Sequence, residues 1–208
     1  MNGSGVHRDR RHRIRLPRQT VLAVLMCICL IHSARSQSVQ IQVSDYHQRP
    51  IQGAILSGKA SGTSTSKPTD LAGKTQITPP PGAQPGDPLP LTLVKAPSPK
   101  MIIMSPFEGR ATIPKSPWFV EVILGEPGNT WALKDERVVS TWAITLLELN
   151  KVEQAPESNL SRVASIAGFT PEQIDHAIHS MYNDTENVNR RALARDYLGV
   201  YHPRFVNK

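Results

Sequence analysis

"TDLAGKTQITPPPGAQPGD", residues 69–87, contains the Gly-Lys-Thr triplet that ends a phosphate-binding loop. Such a loop requires another glycine five positions before the glycine of the triplet, and a helix that begins at the lysine to receive the anion. Here Pro68 occupies the upstream position, and three prolines follow one short alternating run. The segment therefore excludes a nucleotide site. It predicts a tight hairpin turn through Asp70 and Gly73, with a strand beginning at Lys74.

Segments that alternate apolar and polar residues lie on both sides of this turn. In residues 38–45, Val39, Ile41 and Val43 face one way and polar side chains face the other, as in a half-buried strand. Further short segments of this kind lie at residues 54–58, 73–78, 90–95, 100–107, 109–114 and 118–125. Seven short strands separated by Gly/Pro-rich turns predict a mainly β fold, an antiparallel sandwich.

Two connections between these segments lack the alternation. Residues 57–70 are rich in Gly, Ser and Thr, which predicts a mobile connection. Residues 79–90 contain six prolines, and proline cannot donate to a sheet ladder. That composition predicts a stiff loop, and a Pro-rich docking peptide is the alternative interpretation.

After residue 128 the apolar residues recur at intervals of three and four. Residues 135–151 predict an amphipathic helix, residues 152–158 a linker, and residues 161–167 a short helix that Gly168 ends. A final helix is predicted from about residue 185 to residue 198, before Gly199. The expected organisation is thus a β-sandwich domain at 37–128 followed by a helical segment at 129–208.

The helix between these two has a clear start signal. Thr170 is placed as its cap, Pro171 as its first residue, and Gln173 as the partner of a capping box. The residues that follow form one apolar stripe: Ile174, Ala177, Ile178 and Met181. The shape of two helices joined at a glycine is that of a DNA-reading motif. The second helix carries no Lys or Arg, however, so no nucleic-acid partner is expected.

Residues 1–36 have the parts of a secretory signal peptide. They carry seven arginines and one acid, then an apolar run at residues 21–31, then small residues at Ala34 and Ser36. The run is shorter than the roughly 20 residues of a membrane span, so a cleaved signal and no stable membrane span are expected. An uncleaved anchor is the alternative. Removing this segment leaves 17 basic and 16 acidic residues, and both cysteines lie within it. An exported protein, periplasmic, cell-surface or secreted, is predicted.

The segments around the opening turn resemble a known family. "VSDYHQRPIQGAIL", "TDLAGKTQITPPPGAQPGD" and "LTLVK" are similar to the carboxypeptidase-regulatory-like, or transthyretin-like, sandwich domain over residues 39–124. The matching positions are Asp45, Pro50, Ile51, Gly53, Ala54, Thr69, Asp70, Gly73 and Lys74. Gln48 departs from the pattern, because the family has glycine in that first turn. The resemblance implies a Greek-key sandwich that is mostly non-catalytic and contacts proteins or carbohydrates. The C-terminal Tyr-Arg-Gly-Ser of its hydrolytic branch is missing.

Few residues offer catalytic chemistry. No Ser lies in a G-x-S-x-G turn, and no cysteine follows the predicted signal. Asp175, His176 and His179 lie near one another on a predicted helix, which makes a metal-dependent hydrolase conceivable, but a third well-placed ligand is missing and a solvated helix face is the favoured interpretation. No catalytic, cofactor or metal site is therefore assigned. The leading hypothesis is an exported non-catalytic module with a protein partner in the envelope or outside the cell.

Carbohydrate binding is the alternative function. It requires exposed aromatic side chains on one face of the sandwich, and the nearby candidates are Trp118, Phe119 and Trp131.

Overall fold

A computed structural model describes residues 38–115 and 119–206. The predicted signal at 1–36 and the candidate Trp118 lie outside the described residues. The described residues belong to one compact unit.

Seven strands form two sheets in the described part of the chain. Each alternating segment of the sequence overlaps one of them, which confirms that part of the prediction, although β4 begins two residues before its predicted segment. The strands are β1 (Val39–Ser44), β2 (Ile55–Gly58), β3 (Lys74–Ile77), β4 (Pro88–Lys95), β5 (Ile102–Ser105), β6 (Arg110–Thr112) and β7 (Val120–Gly125). One sheet has the order β3-β1-β7-β5 and the other β2-β4-β6.

The prediction of a wholly antiparallel sandwich is wrong. β1 and β7 run parallel, with Ile41 opposite Val120 and Ser44 opposite Ile123. Parallel neighbours need a long crossover connection, whereas antiparallel neighbours can be joined by a hairpin. Here the connection is the rest of the sandwich, so the first and last strands can meet side by side. Alternation within a strand reports its buried face and carries no information about its direction.

The prediction of a mainly β chain is also wrong. Helix accounts for about 41% of the structure and strand for about 23%, so the fold is α/β. The helices are α1 (Glu136–Glu153), α2 (Pro156–Ala167), α3 (Pro171–Asp184), α4 (Val188–Tyr201) and α5 (Pro203–Val206), with 3₁₀ turns at Phe107–Gly109 and Thr130–Lys134. The prediction gave the sandwich too much weight, because the C-terminal segment is almost continuously helical.

Several helix boundaries differ from the sequence prediction; for example, α4 begins at Val188 rather than near residue 185. α2 begins at Pro156, within the segment predicted as a linker, because proline suits the first turn of a helix, where its missing N–H is not needed. α4 continues through Gly199 to Tyr201. Tyr197 and Leu198 are buried against the other helices, and that packing outweighs the cost of one glycine in the helix.

The turn at the opening segment has the predicted form. Asp70 Oδ1 accepts the backbone N–H groups of Ala72 (2.9 Å) and Lys74 (2.8 Å), and Gly73 N–H donates to the Asp70 carbonyl (2.9 Å). Gly73 has φ +72°, and a Cβ there would overlap the Val43 carbonyl. The neighbouring Thr69 is buried, and its hydroxyl donates to the Ile51 carbonyl (2.6 Å).

The two predicted loops are more regular than expected. Within residues 57–70, Thr65 forms an isolated bridge with Ser57, and Ser66 N–H donates to the Leu56 carbonyl (2.7 Å). In the proline-rich segment, Pro88 and Pro90 enter β4 while the alternate residues Leu89 and Leu91 are buried. Both segments are therefore anchored to the second sheet.

The buried side chains form two clusters. One lies between the two sheets and includes Val43, Leu56 and Val122. The other lies among the helices and contains Trp142, Ile178 and Tyr197, together with side chains supplied by the sandwich: Met104, Phe107 and Ile123. The helices therefore cover an apolar outer surface of the four-stranded sheet and share a core with it.

Candidate functional site

An arginine joins the start of the helical layer to the sheet. Arg137 donates from Nη1 to Glu121 Oε1 on β7 (2.6 Å) and from Nη2 to Asp135 Oδ2 (2.6 Å). Asp135 also caps α1 by accepting the backbone N–H groups of Arg137 and Val138. The hydrogen bond to Asp135, with help from Glu121, holds the pKa of Arg137 above its ordinary value despite partial burial. This network fixes the first turn of α1 against the sandwich.

A half-exposed tryptophan lies on the 3₁₀ turn just before α1. Asn129 caps this turn, since its Oδ1 accepts the Trp131 backbone N–H (3.1 Å). The Trp131 indole is 50% exposed. His47 of the sandwich packs edge-on against it, with ring centroids 4.6 Å apart, and Lys134 Nζ lies 5.3 Å from its centroid. The indole is held from both layers and still faces solvent.

A cleft of about 480 Å³ opens beside Lys134, between the 3₁₀ turn, the start of α1 and α3. We call it the α1–α3 cleft. Its floor is apolar, formed by Leu133, Val139, Ala177 and Met181, and its polar rim consists of Lys134, Glu136, Gln173, His176, Ser180 and Asp184. Pockets of about 300–1,000 Å³ with an apolar lining and a few polar groups are typical of ligand sites.

One side of α3 forms a wall of the cleft. Gln173, Ala177, Ser180 and Asp184 recur at intervals of three and four, so they lie on one side of the helix. At 1.5 Å per residue this wall is roughly 16 Å long. The helix start is fixed by a capping box in which the Thr170 hydroxyl accepts Gln173 N–H (3.3 Å) and Gln173 Oε1 accepts Thr170 N–H (2.9 Å).

The charged groups of the rim differ in their partners. Glu136 is ion-paired with Arg190 of α4, and the Lys134 ammonium lies over Trp131. Asp184 has no ion pair or side-chain hydrogen bond to any residue in the described ranges 38–115 and 119–206. It lies at the carboxyl end of α3, where the helix dipole is also negative. The Arg191 guanidinium also lies at this helix end, where its Nη2 donates to the Thr185 carbonyl (2.6 Å), so the helix dipole is partly offset there.

The residues of the hydrolase hypothesis do not converge. Asp175 faces α4, where its Oδ1 accepts a hydrogen bond from Tyr197 Oη (2.7 Å) and lies 2.7 Å from His202 Nε2. His176 instead lines the cleft, and His179 is partly buried on α3. No group of three His, Cys, Asp or Glu side chains in the described ranges is arranged to hold a metal ion. The hydrolase hypothesis therefore lacks the three protein ligands of a catalytic zinc site.

The contacts of Asp175 are with side chains that pack α4 against the other helices. Tyr197 is fully buried and stacks on Tyr201, with ring centroids 4.4 Å apart. Burial, followed by the hydrogen bond to Asp175, raises the pKa of the Tyr197 phenol above its ordinary value, and burial raises the pKa of Tyr201 to about 12. Both phenols remain neutral donors at ordinary pH. Tyr197 and His202 fasten the end of α4 to α3 through Asp175, and Tyr201 Oη donates to the Leu146 carbonyl of α1 (3.4 Å).

The two described aromatic residues proposed for carbohydrate binding, Phe119 and Trp131, lie at opposite ends of β1. Phe119 is 53% exposed but precedes β7, whose first residue Val120 lies opposite Ile41. Trp131 contacts His47, beyond the other end of β1. At about 3.3 Å per residue, the part of β1 from Ile41 to Ser44 alone places Phe119 and Trp131 roughly 10 Å apart along the strand direction. Trp118 lies outside the described residues.

Sequence reasoning missed the cleft, although the signal was present. Gln173, Ser180 and Asp184 follow the helical period directly beside the buried stripe of α3, which was identified correctly. Three polar residues on a helix normally indicate a solvated face. Only the position of the 3₁₀ turn, which depends on tertiary packing, makes this face one wall of a concave site.

Comparison with known proteins assigns neither a family nor a function to this chain. The chain matched no family model, no curated protein and no solved structure. Among the described residues, no helix has both the length and the apolar character needed to cross a bilayer.

Proposed function

We propose that this chain is an exported, non-catalytic module that binds a segment of a partner protein in the α1–α3 cleft. The observation that carries the proposal is the cleft itself, which combines an apolar floor with three rim side chains, His176, Ser180 and Asp184, that have no side-chain partner within residues 38–115 and 119–206. Export is supported by the arginine-rich, apolar and small-residue order of residues 1–36. The resemblance to transthyretin-like domains is compatible with this function, because members of that family are mostly non-catalytic and contact proteins or carbohydrates.

The composition of the cleft favours binding over chemistry. Met181 in the floor is flexible and polarizable, as methionines at adaptable protein-binding surfaces are. His176 and Ser180 lie one helical turn apart on the rim, but no hydrogen bond joins them in the described structure. Activation of a serine hydroxyl needs such a bond to a base. The rim groups therefore serve better as contacts for an incoming ligand than as a nucleophile and base.

Site-specific photo-crosslinking tests the proposal. A photoreactive phenylalanine analogue is placed at His176 on the cleft rim and, as a matched control, at Ser161 on the exposed side of α2. In the producing cell we expect a discrete protein adduct from position 176, recovered from the envelope or the medium, and none from position 161. Equal labelling at both positions, or a chain found inside the cell with residues 1–36 intact, would overturn the proposal.

Carbohydrate binding remains a second candidate because Trp131 is half exposed and held rigidly. An indole face is a suitable platform for a sugar ring. Titration of the full chain with soluble neutral and amino-sugar oligosaccharides, followed by tryptophan fluorescence, tests this alternative. Saturable quenching that is lost in Trp131→Ala would favour it, and a flat titration would end it.

A further inference from the structure

We infer that the α1–α3 cleft receives an extended segment of its partner, with apolar side chains at two alternate positions and no requirement for charge. This inference rests on the proposed function and specifies the conformation and sequence pattern of the partner. It follows from the width of the cleft and from the spacing of side chains along α3.

The cleft is too narrow for a partner helix. A volume of about 480 Å³ along the roughly 16 Å wall of α3 gives a cross-section of about 30 Å², which corresponds to a width of about 5–6 Å. An α-helix with its side chains is about 10–12 Å across. An extended chain needs about 4.8 Å, the distance between neighbouring strands of a sheet. The segment therefore lies along α3 as a single extended chain.

Two rows of side chains on α3 match the period of an extended chain. Ala177 and Met181 form an apolar row in the floor, and His176 and Ser180 form a polar row beside it on the rim. Within each row the two residues are four apart in sequence, which is about 6 Å along the helix. Alternate residues of an extended chain lie about 6.6 Å apart on the same side. Two alternate apolar side chains of the segment can therefore contact Ala177 and Met181 together.

The rim offers hydrogen bonds and favours neither sign of charge. His176 and Ser180 have no side-chain partner within residues 38–115 and 119–206, so both can bond to the backbone of the segment. Charges of both signs surround the cleft: Lys134, Arg190 and Arg191 against Glu136 and Asp184. The segment is therefore selected by its apolar pattern and its backbone, and a charged side chain gains little from this rim.

Selection from a phage-displayed library of random 12-residue peptides on the full chain tests the inference. We expect peptides in which one residue separates two bulky apolar residues, without enrichment of acidic or basic residues. The Kd of the best peptides should change by less than about two-fold between about 0.05 and 0.5 M NaCl, because salt screens charged contacts only. Apolar residues spaced three or four apart, selection of one sign of charge, or the absence of any binding peptide would each overturn the inference.

A substitution in the apolar row tests where the segment lies. Ala177→Leu fills part of the floor, and Ser161→Leu adds the same side chain on the exposed side of α2 as a control. Ala177→Leu should weaken the best peptides by about 10- to 100-fold, the range for losing one buried apolar side chain, while Ser161→Leu should leave their Kd unchanged. Equal binding by the two variants would contradict the inference.

A further variant separates this inference from the function on which it rests. Ser180→Arg places a long side chain across the cleft, and Ser161→Arg is its control on α2. Peptides that bind the wild type and Ser161→Arg but not Ser180→Arg support the cleft as the site. If those peptides lack the alternate apolar pattern and bind Ala177→Leu equally, the partner chemistry is wrong and the site stands. If Ser180→Arg binds them unchanged, the proposed function fails. Circular dichroism confirms that each variant is folded.

Discussion

Gln48 adopts a backbone conformation that favours glycine, with φ +60° in the turn after β1. A residue with a Cβ in this left-handed region costs about 1–2 kcal/mol relative to glycine. The turn is held there by Asp45, which accepts the backbone N–H groups of His47 (2.8 Å) and Arg49 (3.0 Å). The resemblance to transthyretin-like domains predicts glycine at position 48, and the positive φ of Gln48 explains why glycine would suit this position.

We therefore expect Gln48→Gly to stabilise the protein by about 1 kcal/mol, measured as the free energy of unfolding in urea. Gln52→Gly is the matched control, because Gln52 is exposed and its φ is not positive. There the greater freedom of the unfolded chain should cost roughly 0.5–1 kcal/mol. Equal destabilisation by both changes would contradict the account of this turn.

The same turn should make stability depend on acid pH. Burial opposes ionisation of Asp45, but hydrogen bonds from Arg49 and His47 outweigh it and lower the pKa of Asp45 below its ordinary 3.8. Because the pKa of Asp45 is lower in the folded protein than in the unfolded chain, its carboxylate stabilises the fold fully at pH values above the unfolded-state pKa. This stabilisation is lost as the pH falls through the folded-state pKa. In urea unfolding between pH 2 and 6, Asp45→Asn should flatten the decline of stability below about pH 4. An unchanged pH profile would rule out this role for the carboxylate.

At the scale of elements, local signals placed most of the helices and strands. The capping residues of α3 predicted its start at Pro171, and alternation located each strand. Features that depend on packing between elements were predicted wrongly. Gly199 lies inside α4 because Tyr197 and Leu198 pack against other helices, and the parallel pairing of β1 with β7 depends on the whole connection between them. The cleft belongs to the same class, since its walls come from separate elements.

The start of α3 gives a prediction at this scale. Removing the cap with Thr170→Ala should cost about 1 kcal/mol, because the N–H of Gln173 loses its side-chain acceptor. Ser165→Ala on the exposed side of α2 should be neutral or slightly stabilising, since alanine is the better helix former. Unfolding followed by far-UV circular dichroism compares the two. Equal changes in the free energy of unfolding for the two variants would contradict a stabilising role of the Thr170 cap.

At the scale of the whole molecule, the sandwich and the helices depend on one another. Met104, Phe107 and Ile123 of the sandwich are buried in the helical cluster, and Tyr46 packs against it from the turn after β1. An added Cβ at Gly125 would overlap the Tyr46 hydroxyl, so the strand and the turn are closely fitted. The expected boundary near residue 128 therefore divides the secondary structure, while the apolar core continues across it.

We expect residues 37–128 expressed alone to be much less stable than residues 37–208. Each large apolar side chain left exposed would forfeit about 1.5–3 kcal/mol of burial. Such a fragment should bind a hydrophobic dye and unfold over a broad range, whereas the longer chain should show one cooperative transition by calorimetry. A fragment with a sharp transition at the same temperature would show that the sandwich folds independently.

The central claim is that the α1–α3 cleft receives a partner protein. The most direct measurement is the yield of photo-crosslinked adduct from position 176 relative to position 161 in the producing cell. We predict a discrete adduct from position 176 that is at least about ten-fold more abundant than any from position 161 and that is lost when Ser180→Arg is added. Equal yields at the two positions, or an adduct that survives Ser180→Arg, would contradict the claim.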